Sequence, residues 1–450
     1  MPMNKRIPAP GAAPDEARDA APASDPHPAG EPAAPAPPWW KTLGPGLITG
    51  AADDDPSGIA TYSQGGAQYG YDIAWTVLVT YPLMVGIQLA SARIGRITGK
   101  GLTENFARFC PRWLVVALVA LLVAANVINL GADLNAMGDA AALVLGGPPA
   151  AYAIALGLLS LALQVFVPYR RYVSVLKWLT LSLLAYVGVG FAAHVDWLAA
   201  ARATVLPHLH WEKDYATTIV AICGTTISPY LFFWQAAQEV EEIRRVGADK
   251  PLRIAPAQAT RQLRRLRVDT VVGMGFSNLI AFFMMVATAA TLHATGVTHI
   301  ETTAQAAQAL APVAGRFAFL LFALGVVGTG LLALPVLAGS AAYAVASLLQ
   351  VRKGLDQPPA RAKAFYAILA AAIVIGLAIS ASGLNPIKAL YWSAVVNAVI
   401  SVPVMVAVMI AASHARIVGA LTLPLPWRVL GWLATAAMAA ATLAMFAAMV

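Results

Sequence analysis

Apolar runs of about 20 residues recur along this chain, each long enough to cross a hydrocarbon core about 30 Å thick as one helix. That pattern constrains the fold more than any other feature. Eleven runs can be marked, at 44–69, 73–97, 113–142, 149–168, 172–194, 216–240, 267–294, 316–349, 361–381, 387–412 and 426–449. The eighth is too long for one untilted crossing, so its ends must project or curve. Only 12% of the residues are charged, against about 25% in a soluble domain. The chain therefore reads as an all-α, polytopic membrane protein rather than a soluble helical core.

Residues 1–40 stand apart. They carry eleven of the thirty prolines, mixed with Ala, Asp and Glu. Such a segment cannot bury enough apolar surface to fold alone, and it lacks the layout of a signal peptide. It reads as a disordered tail.

Lys and Arg set the expected orientation. Taking the loops alternately, 26 of the 30 fall on one side, leaving only Arg202, Lys213, Arg316 and Lys388 on the other. The positive-inside rule then puts the N-terminus in the cytoplasm and, with an odd number of spans, the C-terminus outside the cell membrane. The net charge of +8 follows from this topology. The stretch RQLRRLR at 261–267 is accordingly an anchor facing anionic lipid, not a nucleic-acid site. Cys110 and Cys223 form no metal-ligand pattern.

Two spans carry interruptions. The first holds DDDPSG at 53–58, and the sixth holds GTTISP at 224–229. Pro56 and Pro229 each remove an N–H and clash with the preceding turn, and Gly58 and Gly224 loosen the backbone beside them. The interruptions open two sets of five spans. An odd number of spans per set inverts the second relative to the first, and matched breaks in inverted halves point to a transporter's central site. The expected organisation is a tail at 1–40, a first repeat at 41–200, a second at 201–415, and a final helix at 416–450. Each broken span ends its first half near mid-membrane with its carbonyls directed inward. Two helix C-termini, each worth about half a negative charge, then join Asp55 in a site suited to a cation.

GPGLITGAADDDPSGIATYSQGGAQYGY, residues 44–71, resembles the first helix of the Nramp family of divalent-metal transporters, with that family's Asp-Pro falling on Asp55 and Pro56. GTTISPY at 224–230 resembles its sixth-helix motif. The resemblance implies a LeuT-like fold of 11 transmembrane helices with two inverted five-helix repeats, helices 1 and 6 broken. It implies alternating access by rocking of spans 1, 2, 6 and 7. Several positions depart from the family pattern. A metal-binding Asn becomes Gly58, an Ala becomes Thr225, a metal-binding Met becomes Ser228, and a His becomes Tyr230. The acidic residue of the third helix matches Asn135, with Asp133 nearby as the alternative alignment. These changes resemble the Nramp-related branch of magnesium transporters.

A thioether favours soft metals, whereas Mg²⁺ wants hard oxygen donors and keeps several waters. The expected metal site comprises Asp55, the Ala52 and Thr225 carbonyls, the Ser228 and Thr225 hydroxyls, and space beside Gly58. Asp54 is placed to touch the outer shell of the hydrated ion. Asn397, Tyr230, Asp133, Asn135 and Asn129 are candidates for the ion path; positions 126, 129 and 133 share one face of the third span. Because Tyr230 and Asn135 do not titrate usefully near neutral pH, uptake of Mg²⁺, or of Mn²⁺, is expected without obligatory protons. The transported divalent cation is substrate, and no cofactor is expected. The alternatives are a proton-coupled Mn²⁺ or Fe²⁺ transporter of the same fold, a non-transporting metal sensor, and an intramembrane aspartyl protease, for which no Gly-x-Gly-Asp element is found on a second span. Oligomeric state is not legible in the sequence.

Overall fold

The computed structural model describes residues 45–168, 171, 178–210 and 212–449. The tail expected at 1–40 and the first residues of the fifth run lie outside these. Among the described residues the chain is all helical, with no strand. The main helices are α1 (Pro45–Asp53), α2 (Pro56–Tyr69), α3 (Trp75–Thr98), α4 (Arg112–Leu145), α5 (Pro149–Phe166) and α6 (Leu184–Ala192). They continue with α7 (Lys213–Thr226), α8 (Pro229–Arg245), α9 (Ala259–Thr291), α10 (Ala318–Leu348), α11 (Lys363–Ser380), α12 (Pro386–Ser413) and α13 (Leu425–Met449).

Nine spans among the described residues are long and apolar enough to cross a membrane. A tenth is possible if Leu181–Ala192 and Trp197–Val205, bent by 114°, count as one. The remaining expected crossing is the first. There the break leaves halves of 9 and 14 residues, α1 and α2, each too short to cross alone. The eighth run settles as the 31-residue α10, which keeps Pro335 inside it.

Proline alone does not explain the interruptions. Pro82, Pro335 and Pro403 all sit within continuous helices. Pro56 and Pro229 instead occupy the first turn of α2 and α8, where a missing N–H costs nothing. The residues before them, Asp55 (ψ 173°) and Ser228 (ψ 137°), are extended, as the residue before a proline prefers. Only Asp54 and Asp55 at the first break, and Ile227 and Ser228 at the second, leave the helix.

Gly224 therefore does not break its helix, contrary to expectation. It lies inside α7, and its missing side chain serves packing. A Cβ there would stand 1.9 Å from the Ala394 carbonyl oxygen and 2.8 Å from Ala398 Cβ of α12. Gly50 does the same for α1, where a Cβ would meet the Gly273 carbonyl oxygen of α9 at 2.2 Å. Small residues let backbones approach closely where lipid offers no hydrophobic drive to associate. So α1 and α2 lie on α9, α7 lies on α12, and α8 fits between α3 and α10. This brings the two breaks side by side in the interior.

Gly224→Ala should lower stability by about 1–3 kcal/mol, the usual cost of overpacking. A reduced melting temperature of the purified protein in detergent checks this; an unchanged one contradicts the packing role.

Candidate metal site

The break geometry follows from backbone arithmetic. In an α-helix the N–H of residue i bonds the carbonyl of i−4. Pro56 thus releases the carbonyl of Ala52, and Pro229 releases that of Thr225. The same rule at equivalent places frees one carbonyl from each broken span. In the second break Ser228 takes up the slack: its Oγ donates to the Gly224 and Thr225 carbonyl oxygens, at 2.7 and 3.0 Å.

Asp55 caps α2. Its Oδ1 accepts from the Gly58 N–H at 2.9 Å and from Ser57 Oγ at 2.5 Å. Its Oδ2 accepts from Tyr230 Oη at 3.0 Å and from Asn129 Nδ2 at 3.1 Å. Four donors from three spans converge on one wholly buried carboxylate, the environment that sustains a buried anion. Asn129 is itself held, because Ser393 Oγ of α12 donates to its Oδ1 at 2.7 Å. Ser57 Oγ also lies 3.3 Å from Thr225 Oγ1. That contact joins the first break to the second.

Most candidates converge. Asp55, Thr225, Ser228, Tyr230, Asn129 and Asp133 are each at most 1% exposed. Asp133 accepts no hydrogen bond from another side chain. It faces the Ser57 backbone and lies close enough to Asp55 and Tyr230 to interact with both through charge. Asn397 is fully buried, with both amide atoms unpartnered. It lies one turn from Ser393 and one from Ser401, whose Oγ donates to the Ile227 carbonyl of the second break at 2.7 Å.

Other candidates land elsewhere. Asn135 faces the rim, where Nδ2 donates to the Leu384 carbonyl at 2.8 Å. Two residues along a helix is a turn of about 200°, so Asp133 and Asn135 cannot share a face. Gly58 does not border open space: a Cβ there would meet the Asp53 carbonyl oxygen and Tyr62 at 3.3 Å and Thr225 Oγ1 at 3.4 Å. Asp54 turns from the gap toward α9, where its Oδ1 lies 3.0 Å from Ser277 Oγ, which also lies 2.7 Å from Asp53 Oδ2. One hydroxyl proton thus serves two buried carboxylates. Cys223 faces an apolar cavity with Trp75, Ile227 and Met438, away from the acids.

Ser57, Ser277, Ser393 and Ser401 complete the polar shell and were not singled out by the sequence. Ser57 carried a signal, since a serine following Asp-Pro at a helix start is placed to join the cap. The other three sit in long apolar helices with nothing local to mark them.

Side-chain hydrogen bonds join the helices on either side of the breaks. Tyr62 Oη meets Thr226 Oγ1 at 2.9 Å on one side. On the other, Gln88 Nε2 donates to Gln235 Oε1 at 2.5 Å, and Gln235 Nε2 donates to Thr270 Oγ1 at 3.0 Å. Among the described residues, no group of three or more His, Cys, Asp or Glu side chains stands assembled as a metal cage. The groups described around the gap offer carboxylate, hydroxyl, amide and carbonyl oxygen.

Two interrupted helices meeting around a buried acid define a multi-pass membrane protein of the LeuT-like architecture. The fold matches the Eremococcus coleocola manganese transporter with a TM-score of 0.68 at 17% identity, covering 90% of this chain and 86% of that one. It also matches Mhp1, a nucleobase-cation-symport-1 family transporter, with a TM-score of 0.55 at 13% identity, covering 90% and 92%. The chain belongs to the Nramp family, natural resistance-associated macrophage protein-like, whose model matches residues 46–448. Relatives include the divalent metal cation transporter MntH of Deinococcus radiodurans, 29% identical over 64% of this chain and 65% of that protein. MntH of Granulibacter bethesdensis is 26% identical over 89% and 87%. The match to the Deinococcus radiodurans protein thus spans just under two thirds of its length. The relatives are transporters, not enzymes.

Ser277→Ala should cost about 1–3 kcal/mol, because two buried acids lose their shared donor, while Ser277→Thr keeps the hydroxyl. Thermal denaturation of both variants checks this; equal melting temperatures contradict it.

Proposed function

We propose that this protein carries hard divalent cations across the cell membrane, Mg²⁺ foremost and Mn²⁺ next, by alternating access. The observation that carries the reading is the all-oxygen gap around Asp55, into which both broken spans contribute. Asp55 is the ion's carboxylate partner. The Ala52 and Thr225 carbonyls and the Thr225, Ser228 and Ser57 hydroxyls supply neutral oxygens or hold the ion's waters. Mg²⁺ takes few carboxylates and keeps much of its hydration, and the absence of a thioether removes a soft-metal preference. On this reading the chain sits with the Nramp-related magnesium transporters. Its N-terminus lies in the cytoplasm and its C-terminus outside, and the domain limits are those of the two repeats and the final helix.

An arriving ion would compete with the donors now on Asp55. Tyr230 and Asn129 belong to different helices, α8 and α4. Exchanging them for an ion therefore alters what holds the two broken spans against the rest. Hydrogen bonds also tie α3, α8 and α9 together through Gln88, Gln235 and Thr270, and Ser91 Oγ donates to the Phe232 carbonyl at 2.5 Å. Together with α1, which lies on α9, these are spans 1, 2, 6 and 7, the set assigned to rocking.

Uptake is driven by the gradient and the membrane potential, worth about 2.3 kcal/mol per charge per 100 mV. A second reading, proton-coupled Mn²⁺ transport, is favoured by one observation: Asp133 is a second wholly buried carboxylate beside Asp55.

Flux into proteoliposomes distinguishes them. Mg²⁺ uptake should exceed Mn²⁺ uptake at equal concentration, and Asp55→Asn should abolish both. Mn²⁺ blocking Mg²⁺ uptake at tenfold lower concentration overturns the magnesium preference. A pH dye in the lumen should stay silent during uptake. Acidification in step with the metal, lost in Asp133→Asn, would establish the coupled reading instead.

A further inference from the structure

A large cavity lies far from the metal site, where α3, α4, α8 and α10 end together. It has a volume of about 1150 Å³. Five cationic side chains line it, Lys100, Arg112, Arg244, Arg352 and Lys353, with Glu104 the one acid. They come from four separate chain segments, so the fold rather than a local run collects them. Charge balance is poor. Lys353 Nζ pairs with Glu104 Oε2 at 3.1 Å and donates to Ser347 Oγ at 2.6 Å. Among the described residues, Lys100, Arg112, Arg244 and Arg352 make no ion pair, and all four are exposed. Burial lowers the Lys353 pKa, and Arg244 and Lys100 push the same way against the pull of Glu104. Like charges gathered around a concave space repel one another unless an anion joins them.

The surroundings indicate where that anion comes from. Next to Arg112, Trp113 is 71% exposed, and Leu349, which lines the cavity, is 59% exposed. Exposed tryptophan at a helix end marks the level of the lipid headgroups. The cavity therefore opens where charged headgroups would lie, on the side that the Lys and Arg bias assigns to the cytoplasm. Basic pockets between membrane helices on that side suit phosphorylated headgroups, and Arg matches phosphate oxygens with paired donors.

We propose that this cavity is a binding site for a phosphate-bearing anion, contributed by an anionic phospholipid headgroup or by a soluble phosphate compound. Lys100, Arg244 and Arg352 hold the phosphate oxygens, and Lys353 is oriented by Glu104. Because the ligand clasps the ends of four spans, it stabilises their present arrangement.

The test uses the full-length protein in neutral detergent and in nanodiscs. Two probes are compared: pyrophosphate in solution, and phosphatidylglycerol in a phosphatidylcholine bilayer. The melting temperature is read as each is titrated. The wild type should be stabilised by at least one probe. Arg244→Gln/Arg352→Gln should require about tenfold more of it, the scale set by losing charge-assisted hydrogen bonds. Stabilisation by phosphatidylglycerol alone identifies the headgroup, and stabilisation by pyrophosphate identifies a soluble ligand; either supports the site. Arg361→Gln/Lys363→Gln removes the same charge from exposed positions outside the cavity and should leave the titration unchanged. Stabilisation by neither probe overturns the proposal, as does an equal loss in both double variants.

Discussion

A peptide carbonyl that loses its helical donor inside a bilayer must find another partner, since hydrocarbon offers none. The rest of this structure depends on how that demand is met at two places. Pro56 and Pro229 free one carbonyl each, four residues upstream. Asp55 supplies the cap that lets α2 begin again at mid-span, and Ser228 bends back to satisfy the end of α7. On the function proposed above, the polar groups that repair the breaks are the same ones a cation would meet. A site made this way needs no separate cage, because the repair of the backbone already assembles it.

The arrangement also explains why the surrounding helices are so rich in small residues. Two breaks can share donors only if their helices pack almost backbone to backbone. Gly50 against Gly273 and Gly224 against Ala394 provide that approach. The serines on α12 then act at short range, Ser393 on Asn129 and Ser401 on the Ile227 carbonyl. Asp269 Oδ2 accepts from the Gly46 N–H at 2.7 Å, meeting one of the unpaired donors at the start of α1.

Much of this was legible in the sequence. The apolar runs fixed the helical class, and Asp-Pro and Ser-Pro inside apolar runs located both breaks to within a few residues. Asp55 stood out because a carboxylate before a proline in a membrane span has few structural excuses. The remainder depended on geometry that no local pattern encodes. Asp133 and Asn135 are neighbours in sequence but point to opposite sides, so only the rotation of α4 decides which meets Asp55. Gly224 sits beside a break and looked like its cause, yet its contact is with a helix about 170 residues away in the chain. Ser277 has no motif, and its role exists only because Asp53 and Asp54 turn toward α9.

The first break has a mechanical consequence. With nine residues, α1 is a rod about 13 Å long, joined to α2 by a joint of two residues. A rod that short can pivot without disturbing α2 across the joint. It cannot pivot freely of α9, because Gly50 is lodged against the Gly273 backbone and Gly46 is tethered to Asp269. Any swing of α1 therefore hauls α9 along with it, and a small displacement at the joint becomes a concerted tilt of a 33-residue helix.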